Sequence, residues 1–197
     1  MAEFCLDTLK GKDLETAVTE RAAEYKRNRS AHLTRCGVQA VMIGTEPNGN
    51  PKWQVIRSLP DFEGVNAQGQ QFIFDAKVCS QASFDLTPYR EETKGTKSRQ
   101  LRHMFERSQF NVPCFFLMHW NARSLKTFKE PAETYLFPIA ADSDFWRGFF
   151  SAEIRSINRK HCEELGTVVE WNTFDSGRKP RPDFLAAISE HFLKQMV

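Results

Sequence analysis

LPDFEGVNAQGQQFIFDAK, residues 59–77, is the stretch from which we predict the fold of this chain. A turn rich in Asn, Gln and Gly at 66–70 leads into a run at 72–77, where side chains two apart would share one face of a β-strand. The alternation divides that run into core-facing Phe72, Phe74 and Ala76 and opposite-facing Ile73, Asp75 and Lys77. The stretch therefore predicts a β-hairpin whose second strand ends in a charged pair.

Two carboxylates and an ammonium would meet at the end of this hairpin. The turn would return Asp61 to the side of Asp75, with Lys77 adjacent. Two nearby carboxylates repel each other unless a cation lies between them, and oxygen ligands of this kind suit Mg²⁺ or Mn²⁺. The metal would lower the pKa of a bound water and neutralise charge on a phosphate under attack, while Lys77 orients the nucleophile or adds positive charge.

The residues alone allow two interpretations of this cluster. The first is a metal-dependent phosphodiesterase site, and the second is a solvated strand end that carries a surface ion pair. The Asp/Glu-x-Lys triplet occurs three times, at 24–26, 75–77 and 92–94, so the triplet itself is weak evidence. Only the triplet at 75–77 lies in an alternating strand with a Pro-Asp pair a hairpin's length upstream.

Length and composition favour one globular domain spanning residues 1–197. Hydrophobic residues make up 41% of the chain and Phe occurs 17 times, which argues against disorder. No apolar run approaches the roughly 20 residues that span a bilayer, and no secretory signal is evident, so we expect a cytoplasmic protein. The 5 scattered cysteines form no C-x-x-C pair and are expected to be reduced thiols.

Basic residues are clustered, although the net charge of +2 is too small to indicate a nucleic-acid partner. Segments 21–35 and 94–107 each hold five basic residues against one acid, and 178–181 holds three with none. Each cluster alone is explained by a solvated face, but three of them beside a phosphodiesterase site favour a track for a phosphate backbone. The candidate DNA-binding residues are Arg27, Arg29, Lys52, Trp53, Arg57, Lys97, Arg99, Arg102, Arg178, Lys179 and Arg181.

Glu15 and Gln100 are two further candidates, both on predicted helices. Asp13 should cap the first helix, whose Glu15 borders the apolar face and could either reach a metal or favour the positive helix N-terminus. Gln100 lies on a helix after Gly95, where it is either a partner for a phosphate or metal-bound water or an ordinary polar residue.

The other predicted elements are a polar-tipped hairpin, a loop, a buried strand and two helices. The hairpin joins strands at 38–43 and 53–57 and could project towards DNA, whereas 79–88 is expected to be a loop. The apolar run at 112–120 predicts a strand buried on both faces. Asp142 should cap a helix that carries Phe145 and continues to Ile157, and Pro182 should start the last helix.

In their order and spacing, these motifs resemble the RecU-type Holliday junction resolvases, a branch of the PD-(D/E)xK nuclease superfamily found in bacteria and some of their phages. The resemblance runs over nearly the whole chain. It is carried by Gly11 and Glu15 with Tyr25, PDFEG at 60–64, FDAK at 74–77, Ser83-Phe84, Gln100 followed by Leu101 to Met104, CFFL at 114–117, YLFP at 135–138, Phe145-Trp146 and Gly177-Arg178-Lys179.

The resemblance implies an α/β fold with a restriction-endonuclease-like core. It would contain a mixed central β-sheet flanked by helices and a projecting β-hairpin stalk at about 41–57, which in this family enters the centre of the junction. It further implies a homodimer that makes Mg²⁺-dependent paired nicks in a four-way DNA junction, in a bacterial or phage-infected cell, with Mn²⁺ as a possible substitute.

The same resemblance assigns roles to individual residues. Asp61, Asp75 and Glu15 would bind the metal, Lys77 would assist the water, and Gln100 would support the site. Asp75 stands where the family often has Glu, a change that keeps a carboxylate ligand but shortens it.

Other functions stay open from the sequence. One is a sequence-specific restriction or homing endonuclease of the same superfamily. Another is a non-catalytic recombination factor that binds branched DNA, with the acidic cluster as a structural feature. A recombinase partner stays open as well.

Overall fold

The computed structural model describes residues 5–36, 38–90, 95–125, 127–172 and 179–195, and only the backbone of 38–41, 53–58 and 194–195. The helices are α1 (Gly11–Arg27), α2 (Thr96–Ser108), α3 (Asp144–Phe150), α4 (Arg159–Leu165) and α5 (Phe184–Gln195). The strands are β1 (Ala31–Arg35), β2 (Val38–Thr45), β3 (Pro51–Ser58), β4 (Phe62–Asn66), β5 (Gln71–Cys79), β6 (Ser83–Asp85), β7 (Cys114–Trp120), β8 (Arg123–Ser124), β9 (Lys129–Glu130), β10 (Glu133–Pro138), β11 (Ser156–Asn158), β12 (Thr167–Val168), β13 (Trp171–Asn172) and β14 (Arg181–Pro182).

Six strands form the central sheet, in the order β1-β4-β5-β7-β10-β12. The pair β5 and β7 is parallel, whereas the other neighbouring pairs are antiparallel. Every residue of β7 is buried, as its unbroken apolar run predicts for a strand covered on both faces. The mixed sheet flanked by helices that the resemblance implied is therefore confirmed.

Strand β5 contributes side chains to two separate cores. Phe72 and Phe74 pack with residues of α1 and α5 on one face, and Ile73 packs with residues of α2 and α3 on the other. The predicted alternation is confirmed. Of the two interpretations of the charged pair, the solvated strand end is wrong, because this face is covered too and the side chain of Asp75 is 0% exposed.

Asn66 builds the turn between β4 and β5. Its Oδ1 accepts hydrogen bonds from the backbone N–H groups of Gln68 and Gln70, at 3.0 and 2.9 Å. Gly69 takes the left-handed conformation, with φ of 78°, which an L side chain would disfavour. The hairpin predicted from the Asn, Gln and Gly content is confirmed, and it places the start of β4 beside the middle of β5.

A second hairpin, formed by β2 and β3, is a separate two-stranded sheet. Its register shifts between residues 39 and 40 and between 42 and 44. Such irregularities bend a ribbon and increase its twist. The hairpin expected at about 41–57 is confirmed in the backbone, with strands longer than predicted, and the exposed Met42 and Ile43 lie near its tip.

Two helices do not begin at the N-cap residues that the sequence predicts. Helix α1 has Lys10 at its N-cap, so Asp13 lies in the first turn, where its charge favours the positive helix end. Helix α3 begins at Asp144, because Ser143 and not Asp142 caps it by accepting a bond from the backbone N–H of Trp146.

Three other segments also differ from the prediction. Helix α3 ends at Phe150, and Ile157 belongs to β11. Strand β11 pairs with β6, so the predicted loop at 79–88 contains a short strand and then a 3₁₀ turn. Pro182 lies in β14 and not in the last helix.

The described ranges contain no helix both long and apolar enough to cross a membrane. All five cysteines are free thiols, as predicted from their scatter.

Gly64 lies where β4 passes closest to its neighbours. A Cβ built there would come within 2.5 Å of the Phe72 ring and 2.6 Å of the Leu33 side chain. We expect Gly64→Ala to lower the free energy of unfolding by about 1–3 kcal/mol, because the fully buried Phe72 ring has to shift. Chemical denaturation measures this change.

Gly11→Ala is the matched control. A Cβ at Gly11 meets nothing within 4 Å, and alanine favours a helix over glycine. It should therefore lose no stability. Equal stability of Gly64→Ala and the wild type would contradict the packing that holds β4 against β5.

Candidate active site

Asp61 and Asp75 lie side by side because β4 pairs with β5. Phe62, the first residue of β4, is opposite Phe74, which sets Asp61 beside the next residues of β5. Oδ2 of Asp61 accepts a hydrogen bond of 2.9 Å from the backbone N–H of Ala76. The adjacency predicted from the hairpin is present, with one carboxylate fixed by the main chain.

Asp75 is a fully buried carboxylate with few compensating partners. Oδ2 lies 2.6 Å from Nζ of Lys77 as an ion pair, but neither oxygen accepts a well-directed hydrogen bond from any group in the part of the chain that the structure describes. Burial raises the pKa of Asp75 to about 7, since the nearby Lys77 ammonium lowers it only in part and Asp61 raises it further. The two oxygens thus keep unused acceptor capacity, and carboxylate oxygens of this kind are able to bind a hard cation.

Lys77 stays a cation in this environment. Burial alone would lower its pKa, but the attraction of the Asp75 and Asp61 carboxylates outweighs that effect and raises the pKa above its ordinary value. Its side chain is 17% exposed, so the ammonium lies at the boundary between the buried Asp75 and solvent. It can therefore contact a ligand that approaches from outside.

Gln100 supports the site through the backbone. Its Nε2 donates a hydrogen bond of 2.9 Å to the carbonyl of Leu59, and both groups are buried. Leu59 and Pro60 lead directly to Asp61, so this contact from α2 fixes the approach of the chain to the carboxylate. In this arrangement Gln100 contacts the main chain and not a carboxylate.

Glu15 forms an ion pair with Arg35 at the end of β1. The described residues contain no group of three or more His, Cys, Asp or Glu side chains arranged to hold a metal ion. Glu15 is therefore not assembled with Asp61 and Asp75 into a set of three ligands, and its role as a ligand stays a prediction.

Most candidate DNA-binding residues in the described ranges are exposed. These are Arg27 and Arg29 at the end of α1, Lys52 on β3, Lys97, Arg99 and Arg102 on α2, and Lys179 before β14. Arg181 differs, because ion pairs with Glu20 and Glu24 on α1 already balance its charge. Arg178 and the side chains of Trp53 and Arg57 lie outside what the structure describes.

Tyr89 is a neighbour of the site that the sequence did not indicate. It ends a 3₁₀ turn, is 2% exposed, and its ring centroid lies 6.0 Å from Nζ of Lys77. A tyrosine just after a predicted loop belongs to no sequence motif, so its position beside Lys77 could be found only from the three-dimensional packing.

A mixed sheet between two helical layers, with Pro-Asp directly before β4 and Asp-x-Lys on the neighbouring β5, is the arrangement expected of a nuclease of the restriction-endonuclease-like class. The chain belongs to the RecU family, since the family model for recombination protein U matches residues 9–189. This is a family of Holliday junction resolvases, which are endodeoxyribonucleases that act on branched DNA.

Comparisons with curated proteins and with solved structures give weaker information about the family. No curated protein matches the sequence. Among solved structures, the chain is similar to the Holliday junction resolvase Hjc of Archaeoglobus fulgidus, with a TM-score of 0.39 and 11% identity over 77% of this chain and 92% of that one. At this identity and TM-score the likeness does not show a shared function, and the family assignment rests on the match to recombination protein U.

The raised pKa of Asp75 predicts how stability depends on pH in the metal-free protein. The folded state holds this proton more tightly than the unfolded chain, in which the pKa is near 3.8. As pH rises from 4 to 7, the wild type should therefore lose stability relative to Asp75→Asn, by at most about 1.4 kcal/mol per pH unit. Denaturation in EDTA at several pH values measures the difference.

Asp85→Asn is the control for that comparison. Asp85 is exposed, and hydrogen bonds from Thr87 lower its pKa, so its replacement should not remove the loss of stability between pH 4 and 7. If the profiles of the wild type and Asp75→Asn run parallel, the carboxyl of Asp75 does not titrate as its burial requires.

Proposed function

We propose that this resolvase cuts four-way DNA junctions by Mg²⁺-dependent hydrolysis, in paired nicks made by a homodimer. The observation that carries the proposal is the Asp75 carboxylate, which is fully buried beside Asp61 with its oxygens unoccupied by directed hydrogen bonds from the described residues. A fold does not bury such a group without cost, and a site for a cation accounts for that cost.

Asp61 and Asp75 would hold the metal, and Glu15 would join them as a third ligand. When bound, Mg²⁺, or Mn²⁺ in its place, supplies an acidified water and neutralises the charge that develops on the phosphate. For Glu15 to take part, its side chain has to exchange Arg35 for the metal. The 27% exposure of Glu15 leaves room for such a change of rotamer.

Lys77 would act on the reacting groups directly. Its ammonium is held by Asp75 at 2.6 Å and stays charged, so it can orient the attacking water and stabilise negative charge on the phosphate. Gln100 would keep Asp61 in place through the Leu59 carbonyl, which makes it a positioning residue.

DNA would be bound by the basic surfaces and by the β2–β3 hairpin. The exposed cations at the end of α1 and along α2 would contact phosphates, and the hairpin would serve as the stalk at the junction centre. Trp53, Arg57 and Arg178 are included in this surface on the strength of the sequence. Residues 1–197 would form one nuclease domain, acting in the cytoplasm of a bacterium or of a phage-infected bacterium.

Cleavage of a synthetic mobile four-way junction and of a matched linear duplex tests this function. In Mg²⁺ the wild type should cut the junction in paired nicks and leave the duplex intact, and EDTA should abolish the cut. Asp75→Asn should reduce the rate by at least about a thousandfold, because a neutral amide is a poor ligand for a hard cation. Binding of the junction should survive this substitution.

Two outcomes would contradict parts of the proposal. Equal cutting of the linear duplex would keep the chemistry but replace the substrate, as for a restriction or homing endonuclease. Tight binding of the junction without any cut, by both proteins, would make the chain a binding factor. Sedimentation of the free protein and of the junction complex tests the homodimer.

A further inference from the structure

The ring of Tyr89 is fixed against the same face of the sheet that carries Asp75 and Lys77. It packs edge-on against Phe116, with ring centroids 5.5 Å apart, and at a tilt against Phe84, at 5.8 Å. Phe116 on β7 is the residue paired in register with Asp75 on β5. The ring therefore has little freedom to move relative to the two charged side chains.

The hydroxyl of Tyr89 lacks a well-directed hydrogen bond to the described residues, although it is buried. An unsatisfied buried hydroxyl costs stability, so its presence calls for a reason. Burial raises the pKa of Tyr89, and the Lys77 ammonium opposes that rise more strongly than any other charge does. Nζ of Lys77 lies 6.0 Å from the centroid of the ring, so the ammonium of the site is a neighbour of Tyr89 by geometry as well as by charge.

Lys77 has more donors than its present partner can use. An ammonium carries three N–H donors, and a buried one needs acceptors for them. In this structure Asp75 Oδ2 lies 2.6 Å from the ammonium as an ion pair, without a well-directed hydrogen bond. Under the proposed function, the oxygens of Asp75 also have to serve a cation, which weakens their hold on the ammonium. A neutral acceptor that does not bind the metal would then keep Lys77 in place.

We propose that Tyr89 is a positioning residue for Lys77, whose ammonium it holds by accepting a hydrogen bond on its hydroxyl oxygen. Its effect on the rate rests on the proposed function, whereas the contact itself does not. The phenol orients Lys77 towards the approaching phosphate without adding a negative charge that would repel it. Phenylalanine at this position would fill the same space but could not accept the bond.

The ring also contacts a second ammonium. Nζ of Lys97, on α2, lies 5.6 Å from the centroid of Tyr89. A cation at this distance is attracted by the π-system of a tyrosine or of a phenylalanine alike. Tyr89→Phe therefore keeps the contact with Lys97 and the packing on Phe116, and it removes only the hydroxyl.

The first test compares single-turnover cleavage of the junction by wild type and Tyr89→Phe at saturating enzyme. We expect the rate to fall by about tenfold to a hundredfold, because a misplaced reacting group is costly. Junction affinity, measured in EDTA, should stay within about twofold. Thermal stability should change little, since one hydrogen bond between Lys77 and the hydroxyl makes a small net contribution to folding. A purely structural role would instead lower stability together with the rate.

Tyr135→Phe is the matched control. The Tyr135 hydroxyl donates to Glu133 at 2.9 Å, both on β10, which β7 separates from the strand of Asp75 and Lys77, so its loss should leave the cleavage rate unchanged. A rate for Tyr89→Phe within about twofold of the wild type would overturn the proposal. A wild type that cuts no junction would overturn the proposed function and leave the contact to the second test.

The second test detects the contact without any cleavage. The chain has 3 tyrosines, so labelling their ¹³Cζ atoms gives a simple NMR spectrum that the Phe variants assign. We expect Lys77→Met to move the Tyr89 resonance and to leave those of Tyr25 and Tyr135 in place. Addition of Mg²⁺ should move the Tyr89 resonance in the wild type but not in Lys77→Met. A Tyr89 resonance insensitive to Lys77 would overturn the proposal.

Discussion

The carboxylate of Asp75 is buried on the face of the sheet that α2 and α3 cover, and the arrangement of the surrounding site depends on how its charge is compensated. Burying an ionised group in an apolar layer costs free energy unless positive charge or hydrogen-bond donors compensate for it. Lys77 supplies one positive charge, but the oxygens retain unused acceptor capacity within the described residues. The fold thus holds a poorly compensated carboxylate, and under the proposed function this imbalance is a source of binding energy for the cation.

The positions of Asp61 and Asp75 depend on contacts from β5, β7 and α2. Strand β7 fixes β5 by parallel pairing, and Phe116 lies directly opposite Asp75. The main chain of β5 holds Asp61 through the N–H of Ala76, and Gln100 on α2 holds the preceding carbonyl of Leu59. The two carboxylates are therefore held by rigid elements, which fix their positions relative to each other despite their mutual repulsion.

The sequence predicted the parts of this site that depend on local pattern. Asn66 and Gly69 indicated the turn, and alternation assigned Phe74 and Asp75 to opposite faces. It did not predict that both faces are covered, because that burial comes from distant residues such as Trp146. Nor did the sequence predict contacts between side chains that are distant along the chain. Examples are Tyr89 beside Lys77 and the ion pair of Glu15 with Arg35, which leave no periodic or local signal in the sequence.

The route of the chain also links the site to the β2–β3 hairpin. Strand β3 ends at Ser58, and only Leu59 and Pro60 separate it from Asp61. Pro60 restricts the backbone on both sides of this link, and the Gln100 contact restrains it from α2. The link is therefore short and stiff. If the hairpin occupies the centre of a junction, as proposed, the distance from that centre to the metal ligands is fixed by the fold. This fixed distance would then contribute to the selection of the cleaved phosphate.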